Sequence, residues 1–315
     1  MSFIYRAGVW KPRTSPYTFQ GAGEEALAWL QEVKETCHVP VATEVATPEH
    51  AEAALRAGID YLWIGARTSA NPIAVEAISH RLSSLSIQPK GLIIKNPVNA
   101  DADLWLGNIA RLEKTGVPVM AAHRGCNHEP CWAMAHKVRT KRPDIPLLLD
   151  PSHMSGNAAK VPELTEKIVD LKLDGAMIEV HCHPESALSD KDQQLTPIQV
   201  GNTLDSILSR LCLVSLICPS EGSEELQWLR AEIDELDDRL WDTIAARMEV
   251  SERIGAWKKA HGVTPLQPER YLQIVDKLKT RNETLQDNSL STDFMLRLWE
   301  LIHEESLQKQ LKIEN

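Results

Sequence analysis

The chain has 315 residues, 43% of them hydrophobic, and a formal net charge of −10. That length and apolar content support one large core or two medium ones. The acidic balance excludes nucleic acid as the main partner and directs local cation clusters toward small anionic ligands, and no apolar run approaches membrane-spanning length.

The first apolar run, FIYRAGVW at residues 3–10, carries Arg6 and leads into a Pro/Ser/Gly-rich loop with Lys11 and Arg13. Six further runs follow: VPVATEV with Glu44, YLWIGAR with Arg67, GLIIKNP with Lys95, VPVMAAHRG with His123 and Arg124, IPLLLDPSH with Asp150 and His153, and GAMIEVHC with Glu179. Amphipathic stretches such as EEALAWLQEVKETC and ADLWLGNIARLEKTG lie between them. Strand and helix alternating at roughly 20–30-residue steps predict a parallel sheet with helical crossovers, its strands apolar on both faces. Polar groups at the ends of successive parallel strands predict the rim of a β/α barrel rather than an open sheet with one switch point. Seven strands are predicted where a closed barrel needs eight.

The texture changes after residue 213. Residues 1–213 are expected to form the barrel, 214–223 a linker, and 224–315 an all-α domain of three helices. Leu226, Leu229, Ile233, Leu236, Leu240 and Ile244 recur at spacings of three and four, the stripe of a long amphipathic helix. Unbroken to about His261, it would span roughly 55 Å, too long for one small domain, so an intertwined dimer is expected. Further helices are predicted from Pro268 and from Thr292. The cysteines at 37, 126, 131, 182, 212 and 218 show neither CxxC nor disulfide-like spacing. With no secretory signal read ahead of the first run, they predict free thiols in a cytoplasmic protein.

At the predicted rim, Arg6, Lys11, Arg13, Arg67, Lys95 and Arg124 form a funnel suited to phosphates and carboxylates. His153, Glu179 and Asp190 add nitrogen and oxygen donors of the kind that hold a divalent metal. On the long helix, Arg247 and Lys258 are 11 residues apart. They fall within about 20° of one face, whereas Arg230 lies about 100° away and is aimed elsewhere, as toward a partner chain.

KPRTSPYTFQG, IGARTSANP, IIKNPVN, AAHRG, LLLDPSHMSGN and IEVHCHPESALSDKDQQL closely resemble the short-barrel subgroup of the type I 3-deoxy-D-arabino-heptulosonate 7-phosphate (DAHP) synthases. The resemblance implies condensation of phosphoenolpyruvate with erythrose 4-phosphate. Arg67, Lys95 and Arg124, helped by Arg6 and Lys11, would hold phosphoenolpyruvate. Arg13 and Thr14 would meet erythrose 4-phosphate, and Glu44 would lie near the reacting carbons. His153, Glu179 and Asp190 would bind a divalent ion of the Mn, Fe, Co or Zn type. The family's fourth metal ligand, a cysteine in a Gly-Pro-Cys-Ser segment on the first barrel strand, has no counterpart, and FIYRAGVW matches the second strand. The resemblance therefore implies a (β/α)8-type TIM barrel lacking its first βα unit, as either an incomplete gene model or a genuinely seven-stranded, impaired barrel would give. It also implies an alternative, in which the barrel is a non-catalytic scaffold.

LRAEIDELDDRLWDTIAARMEVSERIGAWKK, LQPER and LIHEESLQKQ resemble the all-helical chorismate mutases. By that resemblance Arg230 of a partner chain, Arg247 and Arg270 grip the two carboxylates of chorismate. Lys258 and Gln310 hydrogen-bond the ether oxygen, and Ser306 assists. A pericyclic rearrangement needs no cofactor. Gln267 and Tyr271 stand where some members place acidic groups. The fusion implies a homodimer or larger homo-oligomer, no nucleic acid or membrane partner, and prephenate as an effector of the synthase.

Overall fold

The computed structural model describes residues 3–13, 15, 17–217, 224–284 and 290–311. The chain divides after Ile217 into two compact units. In the first, strand and helix alternate: β1 (Tyr5–Arg6), α1 (Ala26–Cys37), β2 (Val41–Val45), α2 (Pro48–Arg56), β3 (Tyr61–Ile64), α3 (Ala66–Ser69), α4 (Pro72–Ser84) and β4 (Gly91–Lys95). Then come α5 (Ala102–Glu113), β5 (Val119–His123), α6 (Trp132–Lys141), β6 (Leu147–Leu149), α7 (Pro151–Ser155), α8 (Val161–Asp170), β7 (Gly175–Ala176) and α9 (Pro197–Ile217). Helix α9 thus continues into the stretch expected to be linker.

The helices begin where side chains can take up their free N–H groups. Thr47, Asn71 and Asp101 accept hydrogen bonds from the first turns of α2, α4 and α5, and proline opens α2, α4 and α7. The seven strands are all parallel and run β1 to β7 in chain order. This is the TIM-barrel-like sheet that the alternation predicts.

Side-chain alternation splits the core into two layers. Leu62, Ile64, Leu92, Ile94, Ala121 and Leu147 pack outward against the helices. Ala42, Trp63, Ile93, Ala122 and Met177, with Ile4 and Leu148, pack inward on one another. A strand side chain two residues farther on faces the same way. Two beyond these inward positions stand Arg6, Glu44, Lys95, Arg124, Asp150 and Glu179. The apolar inner layer therefore becomes a polar one at the strands' C-terminal ends.

His123 belongs to the other face, although in sequence it reads as part of the rim. Its ring is fully buried in the helix layer, 6.2 Å from Trp105 and 5.8 Å from Trp132 between centroids. Burial pushes its pKa down from 6.5 to about 4. The unfolded chain therefore binds the extra proton between those values, and stability falls as pH drops through them. This one group costs about 2 kcal/mol between pH 7 and pH 5. Urea unfolding of the parent and of His123→Phe at both pH values checks this: the variant is expected to lose about 2 kcal/mol less.

The second unit holds α10 (Glu224–Ala260), α11 (Pro268–Thr284) and α12 (Thr292–Leu311). Helices α10 and α12 touch where glycine permits it: a Cβ on Gly255 would lie 2.6 Å from the Cα of Gln310. Met248, Ser251, Trp299 and Ser306 are buried there. Toward the start of α10, Leu229, Ile233, Leu236 and Leu240 remain exposed. Among the described residues, no helix is long and apolar enough to cross a membrane.

Candidate active sites

The barrel's polar layer opens into a cavity of about 620 Å³. Arg6, Lys11, Arg13, Glu44, Arg67, Lys95, His153, Glu179 and Asp190 all line it. Arg13, Arg67 and Asp190 also border an adjoining hollow of about 350 Å³. Arg124 is outside the lining of both, and Thr14 is outside the described residues. Five of the six cations expected from the strand ends are thus assembled around one space, and Arg124 is not among them.

At the back, Lys95 Nζ lies 2.7 Å from Asp150 Oδ2, both side chains almost wholly buried. His153 Nδ1 lies 3.0 Å from the same oxygen. Burial pushes the Asp150 carboxyl up, but the charges of His153 and Lys95 outweigh it and hold the pKa well below the ordinary range. Asp150 is therefore an anion that fixes both neighbours, a role that the sequence reading did not give it. The signal was present: Asp150 stands two residues beyond inward-facing Leu148.

The Glu44 carboxylate fits because Gly65 has no side chain; a Cβ there would lie 1.9 Å from Glu44 Oε1. Burial raises the Glu44 pKa against the pull of Lys95 and Arg6, so it is the rim carboxyl most disposed to carry a proton. Arg6 lies 5.1 Å above the centre of the Trp63 ring and 3.2 Å from Glu179 Oε1.

Three residues were expected to hold a metal. His153 Nε2 is 3.7 Å from Glu179 Oε1, so these two are neighbours. The other Glu179 oxygen accepts from Gln193 Nε2 at 2.8 Å. Asp190 is turned to cations instead: Lys11 is 2.9 Å away, and Arg13 bonds both carboxylate oxygens at 3.1 and 2.8 Å. Burial would raise the Asp190 pKa, but the hydrogen bonds from Arg13 and Lys11 depress it strongly. Among the described residues, no three His, Cys, Asp or Glu side chains are grouped to hold a metal ion. The donors in this arrangement therefore do not fit a metal centre, and no chemical step is assigned to one.

In the helical unit, Arg247 Nη1 donates to Ser306 Oγ, and Lys258 Nζ donates to Gln310 Oε1 at 3.0 Å. Helix packing thus brings together four of the six residues expected at this site. Arg230 is exposed on α10, and Arg270 is exposed with Gln273 3.4 Å away. His303, which sequence reasoning missed, stacks on Trp299 at 4.8 Å. Burial, then the charges of Arg247 and Lys258, lower its pKa. It lies one turn before Ser306, so helical spacing alone would have exposed it.

Comparison with known proteins matches each of the two units to a family. Residues 1–211 match the DAHP synthetase I family and residues 229–311 match chorismate mutase type II. A phospho-2-dehydro-3-deoxyheptonate aldolase of Thermotoga maritima is 30% identical over 203 residues, 61% of this chain. The chain spans 56% of that relative's length. A 4-amino-4-deoxychorismate mutase of Streptomyces venezuelae is 37% identical over 78 residues, 25% of this chain and 73% of the relative. Among solved structures, the T. maritima DAHP synthase superposes with a TM-score of 0.58 at 23% identity. That alignment covers 68% of this chain and 61% of that one, a likeness of fold. With its rim assembled as the strand pattern requires and the family model spanning the whole barrel, the chain belongs to the DAHP synthetase I family and carries a chorismate mutase type II segment behind it.

Proposed function

We propose that the barrel condenses phosphoenolpyruvate with erythrose 4-phosphate and that the helical unit converts chorismate to prephenate, both in aromatic amino acid biosynthesis. The observation that carries the first half is the convergence of five cations, with Glu44, on one cavity of about 620 Å³. Lys95, Arg67 and Arg124 would take the phosphate and carboxylate of phosphoenolpyruvate, with Arg6 and Lys11 beside them. Arg13, bordering both hollows, would meet the phosphate of erythrose 4-phosphate together with Thr14. Carbon 3 of phosphoenolpyruvate then bonds to the aldehyde carbon, water adds at carbon 2, and the hemiketal expels phosphate. Fixed cations favour the negatively charged groups throughout. Members of this family are metal-dependent; here His153 and Glu179 would offer two donors, and a third requires Asp190 to leave Arg13 and Lys11.

That last observation favours a second reading, in which the barrel binds these anions without joining them. Inorganic phosphate release from phosphoenolpyruvate plus erythrose 4-phosphate, assayed with added Mn²⁺, separates the two readings. Release is expected; its absence beside normal chorismate turnover selects the second.

For the helical unit, chorismate would be held by Arg247, Arg270 and a partner's Arg230, with Lys258 and Gln310 on the ether oxygen. Confining the substrate to its compact conformer and stabilising charge on that oxygen are sufficient for catalysis. The exposed stripe Leu229, Ile233, Leu236 and Leu240 on α10 supports a homodimer, because an apolar face of that extent requires a partner. Sedimentation velocity is expected to show no monomer at micromolar concentration, and Leu236→Glu to release it. A parent chain sedimenting as a monomer would sink the shared site.

A further inference from the structure

We propose that Asn96 is a positioning residue that sets Arg124, and through it the grip on a phosphate or carboxylate group in the barrel; this deepens the synthase reading and rests on it. The last paired residues of β4 and β5 are Lys95 and Ala122. Asn96 N still donates to Ala122 O at 3.1 Å, but the next residue is Pro97, which has no N–H to offer. The Asn96 side chain continues the ladder instead. Its Oδ1 accepts from Arg124 N at 2.7 Å, and its Nδ2 donates to Gly125 O at 3.1 Å. Nδ2 also reaches Pro97 O at 2.9 Å.

One amide thus holds the backbone on both sides of Arg124. Asn96 has no exposed surface, so losing either bond leaves a buried group unpaired. No side chain at position 125 could hold the loop in its place: the φ of Gly125 is +70°, and a Cβ there would lie 2.3 Å from Glu129 O. Arg124 Nη1 itself is buried with no hydrogen-bond partner among the described residues. Burial lowers the Arg124 pKa against the pull of Asp150, and the like charge of Arg67 adds to that lowering. The clamp keeps this unspent donor in place just beyond the end of β5.

Aspartate has the shape of asparagine but not its donor, so Asn96→Asp sets a carboxylate against Gly125 O. Calorimetric titration of the full chain with inorganic phosphate is the test. Asn96→Asp is expected to weaken phosphate binding about 10-fold or more. Asn96→Ser, smaller and able to donate or accept, should fold if the aspartate does not and should show an intermediate loss. Asn108 supplies the control, a fully buried amide whose Nδ2 donates to Ser69 O at 2.7 Å. Asn108→Ala is expected to melt earlier yet bind phosphate within about twofold of the parent. The proposal is overturned if a folded Asn96 variant binds phosphate like the parent, or if Asn108→Ala weakens binding as much. Because turnover is not the readout, a parent that binds phosphate without condensing its substrates would sink the synthase activity and leave this result to be judged by itself.

Discussion

Lys95→Met is expected to lower phosphoenolpyruvate affinity by about 100-fold or more and to destabilise the barrel by about 3–5 kcal/mol. Both effects follow from Lys95 Nζ lying 2.7 Å from Asp150, with 6% and 0% of the two side chains exposed. Removing the cation leaves a buried carboxylate with His153 Nδ1 3.0 Å away, and a buried charge stripped of its ion-pair partner costs more than the pair ever contributed. The two consequences can be separated. In Lys95→Met with Asp150→Asn the buried charge is gone, so most of the stability should return. The anion affinity should not, because the cation is still missing. Calorimetric titration with phosphoenolpyruvate and urea unfolding of the three proteins check both. A double variant that regains binding would show that Lys95 serves the fold and not the ligand.

Lys258→Ala is expected to lower chorismate turnover by about 10²–10³-fold, the cost of removing one donor aimed at developing negative charge. Lys258 Nζ is held by Gln310 Oε1 at 3.0 Å and Pro265 O at 3.2 Å. It is therefore already oriented before any substrate arrives. The loss should appear in kcat more than in KM, since the ether oxygen gains its charge in the transition state. Melting should change little, because both bonds lie at a half-buried edge. A rate within threefold of the parent would remove Lys258 from the chemistry.

Most of the barrel site was legible because strands alternate. A run such as GLIIK announces its own geometry: Ile93 faces inward, Ile94 outward, and Lys95 inward again. The same rule applied residue by residue would have moved His123 to the helix layer and added Asp150 to the site. Both errors came from treating a strand's end as one polar cluster when its successive residues face opposite ways. The role of Gly65 was not legible, since the space it leaves is filled by Glu44 from a neighbouring strand. Pairing between distant side chains was equally hidden. Nothing near Asp190 in sequence signals that Arg13 and Lys11 hold it, as they come from the opposite end of the barrel's chain. In the helical unit, spacing put Arg247 and Lys258 on one face, and packing against α12 then brought Ser306 and Gln310 to them.

The ion pairs of Asp190 also bear on how the cavity would respond to its ligands. Arg13 and Lys11 now meet a carboxylate of the protein, which an incoming phosphate would have to displace. The most direct test of the whole account is calorimetric titration of phosphoenolpyruvate into the full chain without erythrose 4-phosphate. Saturable binding at one site per chain is predicted, and no saturable binding at millimolar phosphoenolpyruvate would contradict it.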